Sequence, residues 1–144
     1  MSNTEKTHSI HKIFFELLFV IDQKMKDSVQ EEDSGLSMPE LSVLRTLVTE
    51  GEMSLIEVAQ KTGKDKSQIT RVVQNLVRKK ILSKERSEID RRSFNLKLNK
   101  GVKEKISFYL KKEQELVDKM LNGTSKKEQR SLNELLFKMH DNLK

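Results

Sequence analysis

The chain has 144 residues, of which 35% are apolar and 35% charged, so it suits one compact domain, or one with appended helices, that is lean in core formers. Cysteine is absent, which excludes disulfides, thiolate metal sites and cysteine redox switches, and a single Pro with five Gly argues against an all-β or loop-rich fold. The net charge is +6, and eleven Lys or Arg against four Asp or Glu between Lys61 and Arg92 give that stretch +7, leaving −1 for the rest. A basic surface concentrated in this way fits a polyanionic partner, whereas a solvated lysine-rich surface spreads its charge evenly. No apolar run approaches the length of a membrane span, and the N-terminus MSNTEKTHSIHK lacks the basic-then-apolar order of a signal peptide. The expected location is the cytoplasm, with no membrane partner.

From about Thr7 to Val29, Ile10, Ile13, Phe14, Leu17, Leu18, Ile21 and Met25 follow a helical period, while Phe15, Phe19 and Val20 widen the apolar surface. Such a helix requires cover on more than one side, including cover from a partner subunit. Gly35 breaks the polar loop that follows. Ser37-Met38-Pro39-Glu40 has capping-box spacing with Pro near the helix start, predicting a helix to about Thr49 that buries Leu41, Leu44, Leu47 and Val48. Gly51 ends it. Ser54-Leu55-Ile56-Glu57 is a second capping box, opening a short helix through Lys61 with Leu55, Val58 and Ala59 inward. Thr62-Gly63 make a tight turn, and Asp65 is placed to cap a helix beginning near Lys66. Two short helices joined by such a turn form a helix-turn-helix.

In that second helix Ile69, Val72, Val73, Leu76 and Val77 share one face, and Ser67, Arg71, Gln74, Asn75 and Arg78 point the opposite way. The outward face holds guanidinium, amide and hydroxyl groups without a carboxylate, the side chains that hydrogen-bond base edges and phosphates. Past Lys80 the period becomes two: Phe94, Leu96 and Leu98 alternate with Ser93, Asn95 and Lys97, Ile81–Arg86 is the partner strand, and SEIDRR is the tip. Asn99 is expected to cap a long helix to about Leu121 carrying Ile106, Tyr109, Leu110, Val117, Met120 and Leu121 on its apolar face. Asn122-Gly123 stop it. Ser125-Lys126-Lys127-Glu128 is a third capping box, starting a last helix that should bury Leu132, Leu135, Leu136 and Met139.

The chain at this point resembles the MarR family of bacterial transcriptional regulators. The residues that carry the resemblance run without gaps from Leu36 to Gly101: LSMPE, then SLIEVAQKTG followed by KSQITRVVQNL, then the D-x-R wing at Asp90-Arg91-Arg92, then FNLKLNKG. The resemblance implies a mainly α fold with a small two- or three-stranded antiparallel β wing, a winged helix-turn-helix between long N- and C-terminal dimerisation helices. It implies an N-terminal dimerisation helix over 1–35, a DNA-binding domain over 36–99, and C-terminal dimerisation helices over 100–144. It further implies a homodimer that regulates transcription on a pseudo-palindromic operator in double-stranded DNA. By position, Ser67, Gln68, Thr70, Arg71 and Gln74 match the base- and phosphate-contacting part of the recognition helix, and Arg92 matches the wing arginine. Asn75, Arg78, Lys64, Lys66, Lys84, Arg86 and Arg91 complete the expected DNA-binding set, with Asp90 orienting the wing because a carboxylate beside phosphate repels. The chain departs from the family pattern at Lys80, where Gly usually ends the recognition helix, at Lys84, which replaces an Arg, and at Asn99, which replaces Thr.

Each sharp reading has a plain competitor. His8 and His11 lie at i and i+3, but without a third ligand they read as a surface pair, His140 reads as solvated, and neither metal nor cofactor is expected. Phe14, Phe15, Phe19, Phe108 and Tyr109 are a candidate pocket for a small apolar or phenolic effector that releases DNA, as the resemblance implies; dimer core is the plainer reading. No nucleophile pattern or Gly-rich phosphate loop occurs, so enzymatic activity is not expected. The alternatives in other classes are a ligand-independent architectural DNA binder and a winged-helix protein-interaction module.

Overall fold

Side-chain oxygens set the helix starts. In the computed structural model, which describes residues 3–90 and 92–144 and side chains from Ser9 onward, helices run over Asn3–Glu32 (α1), Met38–Glu50 (α2), Leu55–Thr62 (α3), Lys66–Arg78 (α4), Val102–Lys105 (α5), Ser107–Met120 (α6) and Lys126–Asp141 (α7). At α2 the Glu40 N–H donates to Ser37 Oγ (3.3 Å) and the Ser37 N–H to Glu40 Oε1 (3.1 Å), a complete capping box. The same reciprocal pair forms at Ser125 and Glu128, both at 3.1 Å. Ser54 accepts from the Glu57 N–H at 3.2 Å, and Asp65 Oδ1 from the Gln68 N–H at 2.8 Å. Pro39 falls in the first turn of α2, where its missing N–H costs nothing.

The strands are Met53–Ser54 (β1), Leu82–Arg86 (β2) and Phe94–Leu98 (β3), in antiparallel order β1-β3-β2. Lys84 stands opposite Leu96, Arg86 opposite Phe94, and Met53 opposite Leu96 from the other side. β1 has no alternation of its own to announce it; two residues suffice because β3 supplies the ladder. The core lies where α2, α3 and α4 meet the sheet: Leu41, Val43, Leu44, Val58, Ile69, Val73, Leu76, Leu96 and Ile106 are fully enclosed. Burying each such side chain contributes roughly 1.5–3 kcal/mol as an upper bound. Burial fades along β2 from Leu82 to exposed Lys84–Arg86, so the hairpin leaves the core as a projecting wing. Among the described residues no helix is long and apolar enough to cross a membrane.

Several expectations need correction. Asn99 caps no helix: Gly101, with φ +85°, precedes α5, and the Asn99 side chain is spent across the sheet instead. The long helix expected from Asn99 is broken at Ile106, which turns fully inward while Ser107 Oγ back-bonds to the Glu104 carbonyl at 2.7 Å. β2 starts at Leu82 rather than Ile81, because the Ile81 N–H closes the end of α4 on the Leu76 carbonyl at 2.9 Å. Leu132, Leu135, Leu136 and Met139 are exposed, and no residue of α7 is buried. The same holds on α1, where Ile10, Ile13, Phe15, Leu17, Leu18, Phe19 and Val20 are exposed and Met25 is buried, and for Val117 and Met120 of α6. The apolar periodicity is real, but a single chain does not supply its cover.

The contacts divide the chain into two compact units, Met1–Lys112 and Glu113–Lys144, with the boundary inside α6. The first holds the sheet and the helix-turn-helix; the second is the end of α6, the turn at Gly123 and α7.

Candidate nucleic-acid interface

The outward face of α4 is built by its inward one. Ile69, Val72, Val73 and Leu76 are buried, which fixes the helix about its axis and turns Ser67, Arg71, Gln74, Asn75 and Arg78 to solvent, all exposed. Gly63 takes the left-handed conformation (φ +67°) that ends α3, and with Lys64 and Asp65 makes the three-residue turn into α4. Lys64, Gln68 and Thr70 are half-buried and Lys66 is exposed.

Four of these side chains are already engaged. Ser67 Oγ donates to Asp65 Oδ1 at 2.6 Å, Thr70 Oγ1 donates to the Lys66 carbonyl at 2.8 Å, and Arg78 Nη1 donates to Asn75 Oδ1 at 3.3 Å. A hydroxyl has one hydrogen, so Ser67 and Thr70 offer only lone pairs outward in this state. They can accept from a base amino group, but donating to a phosphate means giving up a bond to the protein. The Ser67 hydroxyl, the Gln68 N–H and the Arg71 charge together hold the Asp65 carboxyl below its ordinary value. The anion so kept at the start of α4 complements the helix dipole.

On the wing, Lys84 Nζ and the Arg86 guanidinium lie 5.8 and 5.9 Å from the centre of the Phe94 ring, which is 40% exposed. Phe94 shares a sheet face with Leu96 but sits beyond the core edge, so it serves as a platform for the two cations. The tip, which has no Gly or Pro, is held by side chains: Ser87 Oγ accepts from the Ile89 and Asp90 N–H groups, each at 3.3 Å, and the Ser87 N–H reaches the Ser93 carbonyl at 3.1 Å. Asp90 Oδ1 accepts from the Arg92 backbone N–H at 3.0 Å, so the carboxylate shapes the backbone beneath Arg92. Arg92 is exposed; Arg91 and the His8 side chain lie outside the described residues.

Residues 24–108, more than half of the chain, match the family model described as transcriptional regulator SarA/Rot. The chain belongs to the SarA/Rot family of transcriptional regulators. This regulator is 27% identical over 113 residues to the HTH-type transcriptional regulator YdgJ of Bacillus subtilis (strain 168), covering 78% of its own length and 69% of YdgJ. Its fold is that of the MarR-type winged helix. It superposes on a MarR family protein from Bacillus stearothermophilus with a TM-score of 0.83 at 18% identity, across 99% of both chains. It also superposes on Bordetella bronchiseptica BpsR, whose DNA binding is regulated by 6-hydroxynicotinic acid, with a TM-score of 0.65 at 23% identity, covering 88% of this chain and 98% of BpsR. The regulator is therefore a DNA-binding protein of the MarR/SarA winged-helix type, and these relatives are regulators of transcription rather than enzymes.

One pairing in the regulator has no signal in the sequence. Lys79, counted in the basic excess, donates to Glu40 Oε2 at 2.8 Å, to Glu40 Oε1 at 3.0 Å and to the Gly35 carbonyl at 3.0 Å. Glu40 is only 6% exposed. Burial works against its charge, but the bonds from Lys79 and Ser37 outweigh that and hold the carboxyl below its ordinary value. This clasp ties the end of α4 to the start of α2 and takes one cation out of the free excess. The two residues are 39 positions apart, and Glu40 is at the same time the capping-box partner of Ser37.

The expected effector residues are split by burial. Tyr109 is buried and meets Phe108 edge-on at 6.5 Å, whereas Phe14 meets Phe15 at 6.0 Å. Phe15 and Phe19 line an open groove along α1 with His11, Lys12, Glu16 and Val20. Among the described residues no cluster of potential metal ligands occurs.

Proposed function

We propose that the regulator acts as a homodimer on a pseudo-palindromic operator, with α4 in the major groove and the wing in the adjacent minor groove. The observation that carries this reading is the two-sidedness of α4: a fully packed inner face behind an exposed face of Ser67, Arg71, Gln74, Asn75 and Arg78, within the stretch that holds the entire charge excess. Arg71, Gln74 and Gln68 read bases; Ser67, Thr70 and Asn75 accept from base amino groups or water. Lys64, Lys66, Arg78, Lys84, Arg86, Arg91 and Arg92 neutralise phosphates or enter the minor groove, and Asp90 orients the wing. Each bidentate base contact contributes roughly 1–3 kcal/mol of discrimination.

The exposed apolar faces of α1 and α7 support dimerisation, since isolated apolar surface of this extent marks an interaction site. In this reading residues 1–35 and 100–144 pair two copies, and 36–99 bind DNA in the cytoplasm. Two-fold symmetry then places half-sites about one helical turn, near 10 bp, apart. A small apolar or phenolic effector, by analogy with the 6-hydroxynicotinic acid that regulates BpsR, binds among Phe14, Phe15, Phe19, Phe108 and Tyr109 and favours the dimer state that releases DNA. Selection of bound sequences from a random duplex pool tests the reading. A two-fold consensus is expected; enrichment of no sequence, with binding that vanishes at moderate salt, would favour an architectural binder instead.

A further inference from the structure

Two of the three departures from the expected sequence pattern, Lys80 and Asn99, are 19 residues apart and meet at one hydrogen bond. Lys80 has φ +61°, the left-handed region that favours glycine. Around it the end of α4 is complete: the Lys80 N–H reaches the Val77 carbonyl at 3.0 Å and the Ile81 N–H the Leu76 carbonyl at 2.9 Å, the paired bonds of a Schellman motif. The corner is therefore of the glycine type, made by a residue with a Cβ. Asn99 Nδ2 donates to the Lys80 carbonyl at 2.7 Å, the Asn99 N–H donates to the Ile81 carbonyl at 2.9 Å, and Ser83 Oγ donates to Asn99 Oδ1 at 2.5 Å. Because the Lys80 carbonyl can only accept, the amide must present nitrogen to Lys80 and oxygen to Ser83. One side chain thus clamps the left-handed corner to Ser83 at the start of β2.

We propose that Asn99 is a positioning residue for DNA binding: it braces the strained Lys80 corner and so fixes the angle at which the wing leaves α4. This rests on the reading that α4 and the wing occupy neighbouring grooves. Leverage makes the corner matter. The five residues of β2 and the tip beyond them span about 20 Å, so a swing of about 10° at the corner moves the tip by about 3 Å. That is as long as a hydrogen bond. β1 restrains the sheet only at Met53 and Ser54, on the far edge of β3 from the corner.

The test measures binding of the selected operator by fluorescence anisotropy for the parent, Asn99→Ala, Lys80→Gly and the double variant, each with and without Arg92→Ala. Asn99→Ala should weaken binding about five- to tenfold, the scale of one hydrogen bond. Arg92→Ala should add little to that loss, because the wing contact is already misplaced. Lys80→Gly should bind like the parent and restore Asn99→Ala to within about twofold, since glycine holds the corner without a brace. Losses from Asn99→Ala and Arg92→Ala that simply multiply, or a failure of Lys80→Gly to rescue, would overturn the inference alone. Parental affinity of Arg92→Ala by itself would overturn the wing reading and the inference with it. Should Asn99→Ala not fold by circular dichroism, Ser83→Ala serves instead, with a smaller loss expected in the same direction and parental binding as the overturning result.

Discussion

Glu40→Gln separates the charge of the Glu40–Lys79 clasp from its shape. Glutamine can still accept from the Ser37 N–H, so the capping box survives in part, but one carboxylate oxygen facing Lys79 becomes an NH2 group. A charge-assisted bond is worth about 1.5–3 kcal/mol against about 1 for a neutral one. Lys79 is 41% exposed and can be rehydrated, which lowers the loss to about 1–2 kcal/mol. For a chain of this size that is a fall in Tm of about 3–8 °C, read by circular dichroism at matched protein concentration. The pH dependence carries the sharper test. Because the folded carboxyl lies below its ordinary value of 4.5, the parent's extra stability is present above that pH and is lost as pH falls through the folded value. The gap between parent and variant should be full at pH 7 and close under acid. Equal Tm values at pH 7, or a gap that persists undiminished in strong acid, would refute the clasp as an electrostatic brace.

Leu136→Glu puts a charge on the exposed apolar face of α7, and sedimentation should show the proposed dimer in the parent and monomer in the variant, with the helix content of the parent kept. Leu96→Ala empties a fully enclosed site between β1, β2 and the helices, and urea titration should give a loss of about 2–5 kcal/mol. Arg86→Ala should weaken binding to operator and random DNA alike and reduce the slope of log affinity against log salt by about one for each phosphate that Arg86 neutralises. A changed consensus with an unchanged slope would place Arg86 on a base instead.

The winged helix was legible because its signals are local. Serine or aspartate caps with partners three residues on, a Gly turn before α4, and a switch from period 3.6 to period 2 after Lys80 each depend on neighbours in sequence. What failed depended on distance. Asn99 looked like a cap because it precedes a helical pattern, yet the Lys80 carbonyl and the Ser83 hydroxyl, 19 and 16 residues back, take its side chain. Met53 and Ser54 form a strand only because β3 is beside them. The periodicity of Leu132 to Met139 marked an apolar face on α7, but periodicity does not say whose surface covers it. In the candidate site the residue types were readable and their states were not. That the Ser67 and Thr70 hydrogens are spent on Asp65 and Lys66 emerges only from the folded turn.

Everything proposed for this regulator turns on whether the exposed face of α4 and the wing together bind an operator. The most direct test is the affinity of Arg71→Ala and Arg92→Ala for the selected duplex and for random DNA at two salt concentrations, with the oligomeric state checked against the parent by sedimentation. Arg71→Ala should lose operator preference by roughly tenfold or more, the scale of one good base contact, while Arg92→Ala should weaken binding and flatten its salt dependence. Parental affinity and salt dependence in both variants, with the parent's oligomeric state kept, would contradict the proposal.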